Sequence, residues 1–429
     1  MAEAAGRRSV AGAACTFFVV VRGMRTDSRA VDWSGYTPRE LGYHLPAEWQ
    51  PHAATWLAWP HNRADWPGKF EPIPWIITDI IRHVASAEAV HLLLVNHAAR
   101  RQAERLLRAA GVNTAAVRWH IQPTDRIWTR DSGPIFLCRA GAEVRPAVVF
   151  PRVHASLCPG VSASPRPRVA VSPRPSSLRR LPRLAAVGWA FNAWAKYGDF
   201  HRDRHLPRFV AATLQLPLWE PAARDNRGRL RRIVLEGGSI DGNGAGCLLT
   251  TEECLLSHIQ QRNPGIPREQ IEKILCEYLG AEKVLWLQHG IAGDDTHGHI
   301  DDTARFAGEN LILACREANR SDPNYAPLYE NWERLRAMRD AWGRRFEVAA
   351  LPMPQPVTFR GQRLPASYAN FYVCNAGVLV PVFNDPADLA ALRVMEQAFH
   401  GRTIIPIYCR DLVWGLGTLH CMTQQQPAI

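Results

Sequence analysis

The chain has 429 residues, 47% of them apolar and 21% charged, with 15 tryptophans, enough apolar material for a large core, so disorder throughout is excluded. No apolar run reaches the roughly 18–20 residues that span a bilayer, and no membrane partner is expected. Of the net charge of +11, residues 1–36 carry +2 and residues 151–187 carry +7; the remaining body is nearly neutral, which removes the main argument for nucleic acid.

In chain order, residues 1–36 read as an unstructured extension. Its apolar stretch, 10–21, follows Arg7 and Arg8, but no small-residue cleavage site precedes Arg22, so a cytoplasmic protein is expected. The body, 37–429, alternates helix and strand signals. A helical pattern over 76–86 is followed by an apolar strand over 89–95. Helix 98–111, stopped by Gly111, leads to strand 115–121. The pair returns as helix 268–280, with Ile271, Ile274, Leu275 and Tyr278 on one face, and strand 283–287. Helix 327–345 with strand 347–351, and helix 385–400 with strand 403–407, complete the series. This alternation predicts an α/β fold of several similar modules. One stretch interrupts it. Residues 151–187 hold seven Pro, six Ser and seven Arg, a composition unable to bury a core, and their deletion is expected to be tolerated.

Ten cysteines are scattered without a CxxC pair, so neither a structural zinc site nor a disulfide framework is expected; most read as reduced core thiols. Glycine- and acid-rich blocks at 128–134, 235–241, 290–302 and 414–421 close apolar strands, and polar connections on a rigid scaffold are candidates for function. In Gly415-Leu-Gly-Thr-Leu-His-Cys421 a glycine turn delivers Cys421 directly after a histidine, which fits a thiolate nucleophile or a buried core cysteine. In Asp294-Asp295-Thr-His297-Gly-His299-Ile-Asp301-Asp302, an extended backbone would place Asp295, His297, His299 and Asp301 on one face. That face could ligate a divalent metal, or His299 could serve as a general acid/base with Asp295 and Asp301 binding a cationic substrate. Trp128-Thr-Arg-Asp131-Ser-Gly-Pro134 and Glu236-Gly-Gly-Ser-Ile-Asp241 add carboxylates at further strand ends. Several carboxylates, a histidine and a cysteine together suit attack by sulfur on a guanidinium carbon, with the acids accepting paired hydrogen bonds from the planar cation.

Over residues 36–426 the chain resembles the agmatine deiminases and the bacterial-type peptidylarginine deiminases. The likeness rests on Leu45-Pro-Ala-Glu-Trp-Gln-Pro-His52, Thr55-Trp-Leu-Ala-Trp-Pro60, the 128–134 block and Phe191-Asn-Ala-Trp194. It continues through Glu236-Gly-Gly-Ser, Gly298-His-Ile-Asp-Asp302, Pro365-Ala-Ser-Tyr-Ala-Asn-Phe-Tyr372 and His420-Cys421. The resemblance implies a five-bladed α/β propeller of pseudo-repeated modules, the guanidine-modifying (pentein) fold, as one catalytic domain over 37–429 interrupted by 151–187. It implies Cys421 as nucleophile, His299 as general acid/base, Asp131 and Asp301 as guanidinium-binding carboxylates, and Glu236 as an orienting acid. Trp128 and Asp295 would line the pocket, with Asp295 toward the distal amine of the substrate. No metal or organic cofactor is implied, and the partner is a small guanidino compound or an arginine side chain; a homo-oligomer is compatible with this reading. Agmatine would give N-carbamoylputrescine, a step toward putrescine, and peptidyl-arginine would give peptidyl-citrulline. Asp295 and the absence of an export signal favour agmatine. The chain departs from the family pattern at Arg126, Ala195, His297 and Leu416, none of which removes a catalytic group. Two other readings are a metal-dependent hydrolase using His297, His299 and Asp301, and an inactive binding protein.

Overall fold

The structure, a computed structural model, describes residues 35–139 and 181–429. The expectations for the N-terminal extension up to residue 34, and for 151–180, lie outside the described residues. The expected helices and strands are present with small shifts at their ends. Helix Ile73–Val84 forms because Ile73, Ile77, Ile80, Ile81 and Val84 fall on one fully buried face. Helix His97–Ala109 starts at Asn96, whose side chain accepts the Ala99 amide at 2.8 Å. Helix Arg268–Leu279 stops at Gly280, at φ +65°, where a Cβ would meet the Tyr43 carbonyl at 2.3 Å. The helix expected over 327–345 ends at Ala337 instead. Beyond it, Asp340 accepts the amides of Trp342 and Arg344 and folds the chain back, so a local turn takes the donors a helix would have used.

One plan recurs in five sheets: an antiparallel pair, then a helix that crosses to a third strand parallel to the second, as a parallel pair requires. The first contains Ile135–Arg139, Leu184–Val187, helix Leu206–Leu214 and Leu218–Trp219, with Tyr43–His44 on its edge. The second is Asp241–Gly242, Cys247–Thr251, helix Arg268–Leu279 and Lys283–Leu287. The third is Ala304–Phe306, Leu311–Arg316, helix Tyr325–Ala337 and Glu347–Pro352. The fourth is Tyr372–Cys374, Gly377–Val382, helix Asp388–Ala398 and Ile404–Tyr408. The fifth joins the two ends of the domain. Gln424–Pro427 pairs with His52–Ala58, and Ile73–Val84 and His97–Ala109 lead to Ala89–Leu94 and Val117–Ile121. Among the described residues no sheet closes on itself, and no helix is long and apolar enough to cross a membrane.

The reading of 151–187 as a segment that buries nothing needs correction at its end. Leu181 is buried, and Leu184–Val187 is a fully buried strand between Ile135–Arg139 and Leu218–Trp219. Composition averaged over the whole segment hid this short apolar run. A chain lacking 151–187 is therefore expected to lose its cooperative thermal transition, because an inner strand goes with it. A melting temperature matching the full chain would contradict this register.

Candidate active site

In every sheet a short non-strand segment precedes the first strand of the antiparallel pair, and these segments converge. Asp131 lies in the turn Thr129–Ser132 ahead of Ile135–Arg139, and Glu236 opens Gly237–Ser239 ahead of Asp241–Gly242. His299 and Asp301 sit at the turn Ile300–Asp302 ahead of Ala304–Phe306. Asn370 precedes Tyr372–Cys374, and Cys421 precedes Gln424–Pro427. The blocks thus open strands as well as closing them. Hydrogen bonds stitch the segments to one another: Arg130 N donates to Cys421 O (3.2 Å), His420 N to Asn370 O (3.2 Å), and Gly238 N to Asp131 Oδ1 (2.9 Å).

The His299 imidazole, about 1% exposed, stands at the centre of this convergence. Its ring nitrogens lie 3.9 Å from Asp131 Oδ2, 3.8 Å from Asp301 Oδ1 and 3.8 Å from Glu236 Oε2. None of these is a hydrogen bond, and both ring nitrogens, Asp301 Oδ1 and Glu236 Oε2 have no partner despite burial. Buried polar atoms are ordinarily satisfied, so this cluster is built for something that is not protein. A Cβ at Gly238 would stand 2.7 Å from His299 Nδ1, 2.9 Å from Asp131 Oδ1 and 3.0 Å from Asp301 Oδ2, so only glycine fits there. Cys421 Sγ lies 3.6 Å from Asp301 Oδ2 and accepts a hydrogen bond from Asn370 Nδ2 at 3.1 Å. Asn370 Oδ1 in turn accepts from Thr418 Oγ1 and the His420 amide, which fixes the loop that carries the sulfur. In that loop Leu416 takes the left-handed conformation (φ 69°) that glycine adopts more readily.

The charges follow from burial and neighbours. Burial pushes the Asp131 carboxyl up to about 6, with Asp301 and Glu236 adding to the rise against the pull of His299. Burial raises the Cys421 thiol well above its ordinary range, and the carboxylates of Asp301, Asp302 and Asp131 push it further. The free cysteine is therefore a thiol, not the thiolate that a cationic surrounding would give. Burial alone would lower His299, but Asp131 and its other neighbours outweigh that and hold it well above the usual histidine value. Glu236 stays ionised, down to about 2 in spite of burial, because Arg262 donates Nε to Oε1 at 3.1 Å. Asp301 stays ionised against its burial by accepting from His420 Nδ1 at 2.7 Å.

Behind the site, His420 Nε2 contacts Glu48 Oε2 at 2.9 Å, and Glu48 is also bonded by Arg305 (2.9 Å) and Arg130 (3.3 Å). Arg305 extends the chain to Asp241. Glu48, Asn370 and His420 lie inside the sequence motifs, yet no role was assigned to them. The signal for Asn370 was arithmetic: five modules, but only four blocks recognised as chemistry-bearing.

A cavity of about 300 Å³ leads out from Cys421 and Asp131, lined by Trp128, Trp194, Tyr197, Asp295, Arg126 and Asp65 among others. Trp194 Nε1 donates to Asp131 Oδ2 at 2.9 Å. Asp295 lines this cavity, but its carboxylate is bonded by Lys196 and by Tyr197 Oη. The extended face proposed for 295–301 does not exist. His297, at φ 65°, and Gly298, at φ 94°, turn the chain, and His297 faces Ser257 (3.0 Å) and Glu253 (3.7 Å) instead of the site. The ligand set His297, His299 and Asp301 is therefore not assembled. Among the described residues the set close enough for a metal is Glu236, Cys254 and His299, with ligand atoms within 4.8 Å of one another. The Arg262 guanidinium already on Glu236 opposes a divalent cation at that point.

Residues 44–427 match the family model described as the Porphyromonas-type peptidyl-arginine deiminase, and the chain belongs to that family. Within it, the chain is similar to the agmatine deiminase of Stutzerimonas stutzeri, with 32% identity over 416 residues that cover 91% of this chain and 97% of the relative. Its fold, a mixed α/β pentein, is similar to that of the agmatine deiminase of Enterococcus faecalis (TM-score 0.74, 26% identity, 92% of this chain and 98% of the other). It is likewise similar to the substrate-bound C315S agmatine deiminase of C. jejuni (TM-score 0.70, 26% identity, 90% and 96% covered).

Arg262 and Glu236 have fully buried side chains. Arg262→Met is expected to destabilise the protein by about 3–5 kcal/mol, since it leaves a buried carboxylate without its cation. Chemical denaturation measures this, and a loss below about 1 kcal/mol would show the pair to be dispensable.

Proposed function

We propose that the protein is an agmatine deiminase, which hydrolyses the guanidinium of agmatine to N-carbamoylputrescine and ammonia, a step toward putrescine. The observation that carries this reading is the gap between His299, Asp131 and Asp301, three buried groups without mutual hydrogen bonds, with Cys421 sulfur at its edge. A planar cation gives Asp301 Oδ1 the donor it lacks and adds to those Asp131 already accepts, and its carbon then faces the sulfur. In this reading burial and the field of Asp301 and Asp131 keep the free thiol protonated, and the bound cation offsets that field, so the thiol gives its proton to solvent and the thiolate forms when substrate binds.

The thiolate attacks the guanidinium carbon, forming an S–C bond and a neutral tetrahedral adduct. His299, protonated in the free enzyme, gives its proton to the departing nitrogen, and ammonia leaves behind a cationic S-alkylthiouronium. The neutral imidazole then takes a proton from water as the oxygen attacks the same carbon. Collapse breaks the S–C bond, releases Cys421 as the thiolate and leaves the ureido group, the hydroxyl proton passing to ammonia; the thiolate takes a proton from solvent when the product departs. Glu236, fixed by Arg262, holds the imidazole in place. Around this site we place the five sheets as five blades of a propeller within one domain over 37–429. The eight cysteines of the described residues are free, which supports a reducing, cytoplasmic setting.

The mouth of the cavity favours a cationic tail. Asp295 offers it a carboxylate in the cavity lining, while Asp65, which burial raises to about 7, is already paired with Arg126. Purified protein incubated with agmatine, arginine and an arginine peptide, with and without chelator, is expected to release ammonia and a ureido product from agmatine in preference, unaffected by chelator. Cys421→Ala should lose at least about a thousandfold in kcat while still binding agmatine. Normal turnover in that variant would sink the mechanism. Because Asp131 is neutral below about 6, the fall of kcat/KM for agmatine with pH is expected to steepen by a further tenfold or so per pH unit under that value. A flat acid limb down to the ordinary aspartate range would contradict the assignment of Asp131.

A further inference from the structure

The acids at both ends of the cavity are already bonded by one short segment. Trp194 donates its indole N–H to Asp131 Oδ2 at 2.9 Å, and Lys196 places its ammonium on Asp295 Oδ1. These are an N–H at the guanidinium end and an ammonium at the far end, the same groups that a guanidine with a distal amine carries. The segment that delivers them is costly to form. Ala193, Trp194 and Ala195 lie at φ 50°, 58° and 55°, three consecutive residues with side chains in the left-handed region. Gln260 holds it in register, its side-chain amide donating to the carbonyls of both Trp194 and Asp295 at 3.1 Å.

From this arrangement, and resting on the agmatine reading above, we infer that Lys196 is a specificity-determining residue: its ammonium occupies the distal-amine subsite at Asp295, and substrate must exchange with it. The side chain of Lys196 is 41% exposed and that of Asp295 11%, so the pair is cheap to open and the released ammonium has water to return to. A substrate amine replaces the lost contact in kind, and Tyr197 Oη still holds the second carboxylate oxygen at 2.7 Å. A neutral tail restores nothing at Asp295 and leaves Lys196 where it is. Lys196 thus competes with cationic tails and is indifferent to neutral ones, and apparent affinity falls by the fraction of protein in which the subsite is filled.

Kinetics of Lys196→Met with agmatine and with butylguanidine, which has the same chain without the amine, test this. The expected result is a KM for agmatine lower by about three- to fivefold at unchanged kcat, the size of one exposed ion pair, with butylguanidine kinetics unmoved. Lys196→Arg, which restores a cation, should return the agmatine KM toward the wild-type value. The butylguanidine reaction reports that the site is intact. An agmatine KM that stays or rises, or equal changes for both substrates, overturns the inference and makes Lys196 a structural support of Asp295. Absence of agmatine turnover in the wild-type protein overturns the proposed function and this inference with it; turnover with an unmoved substrate ratio overturns the inference alone.

Discussion

Burying carboxylates in excess of cations is expensive, and the centre of this protein gathers Asp131, Glu236 and Asp301 around one imidazole that they hold protonated, with Asp302 alongside. The surrounding structure can be read as the means of keeping that arrangement folded. Arg262 neutralises Glu236 from behind. His420 holds Asp301, and is itself held by Glu48, which Arg130 and Arg305 anchor. Asp302 gives way: burial beside Asp301 raises its pKa well above the carboxylate range. What is left over is a carboxylate-lined gap whose charge is best completed by a planar cation from outside.

The repeated module explains how one chain brings these groups to a point. Each sheet starts with a segment that is free to make turns because its polar atoms bond to the neighbouring segments instead of to a strand ladder. The ends of the chain take part on equal terms. Gln424–Pro427 pairs with His52–Ala58, so Cys421 is fixed by the same fifth sheet that contains Trp56 and, through His52, touches Glu48. The residues gathered at the site therefore come from segments far apart in sequence but equivalent in the plan.

Much of the fold was legible because the elements obey simple patterns: Ile271, Ile274, Leu275 and Tyr278 did form one buried helix face, and the parallel strands are near-continuous apolar runs. Composition failed at Leu184–Val187, where a four-residue strand sits at the end of a Pro- and Arg-rich stretch. Periodicity failed at 295–301, because the two left-handed residues His297 and Gly298 break the alternation. His299 and Asp301 still meet, through a turn and not through a shared strand face. Glu48 and Asn370 could not be read locally at all, since what each does is defined by groups 48 to 372 positions away in the chain numbering. The pairing of Asp295 with Lys196 is of the same kind.

The central claim is that buried carboxylates wait for a cation, and calorimetric binding to the Cys421→Ala protein tests it most directly. Titrating agmatine near pH 6 in two buffers of different ionisation enthalpy separates binding heat from proton exchange. Because Asp131 is half protonated near that pH and must ionise to hold a guanidinium, the account expects proton release on binding. It also expects the ureido counterpart of agmatine, in which the guanidinium end is neutral, to bind at least about a hundredfold more weakly, the cost of a lost charge-assisted contact. Equal affinity for the two compounds, with no proton released, would contradict the account.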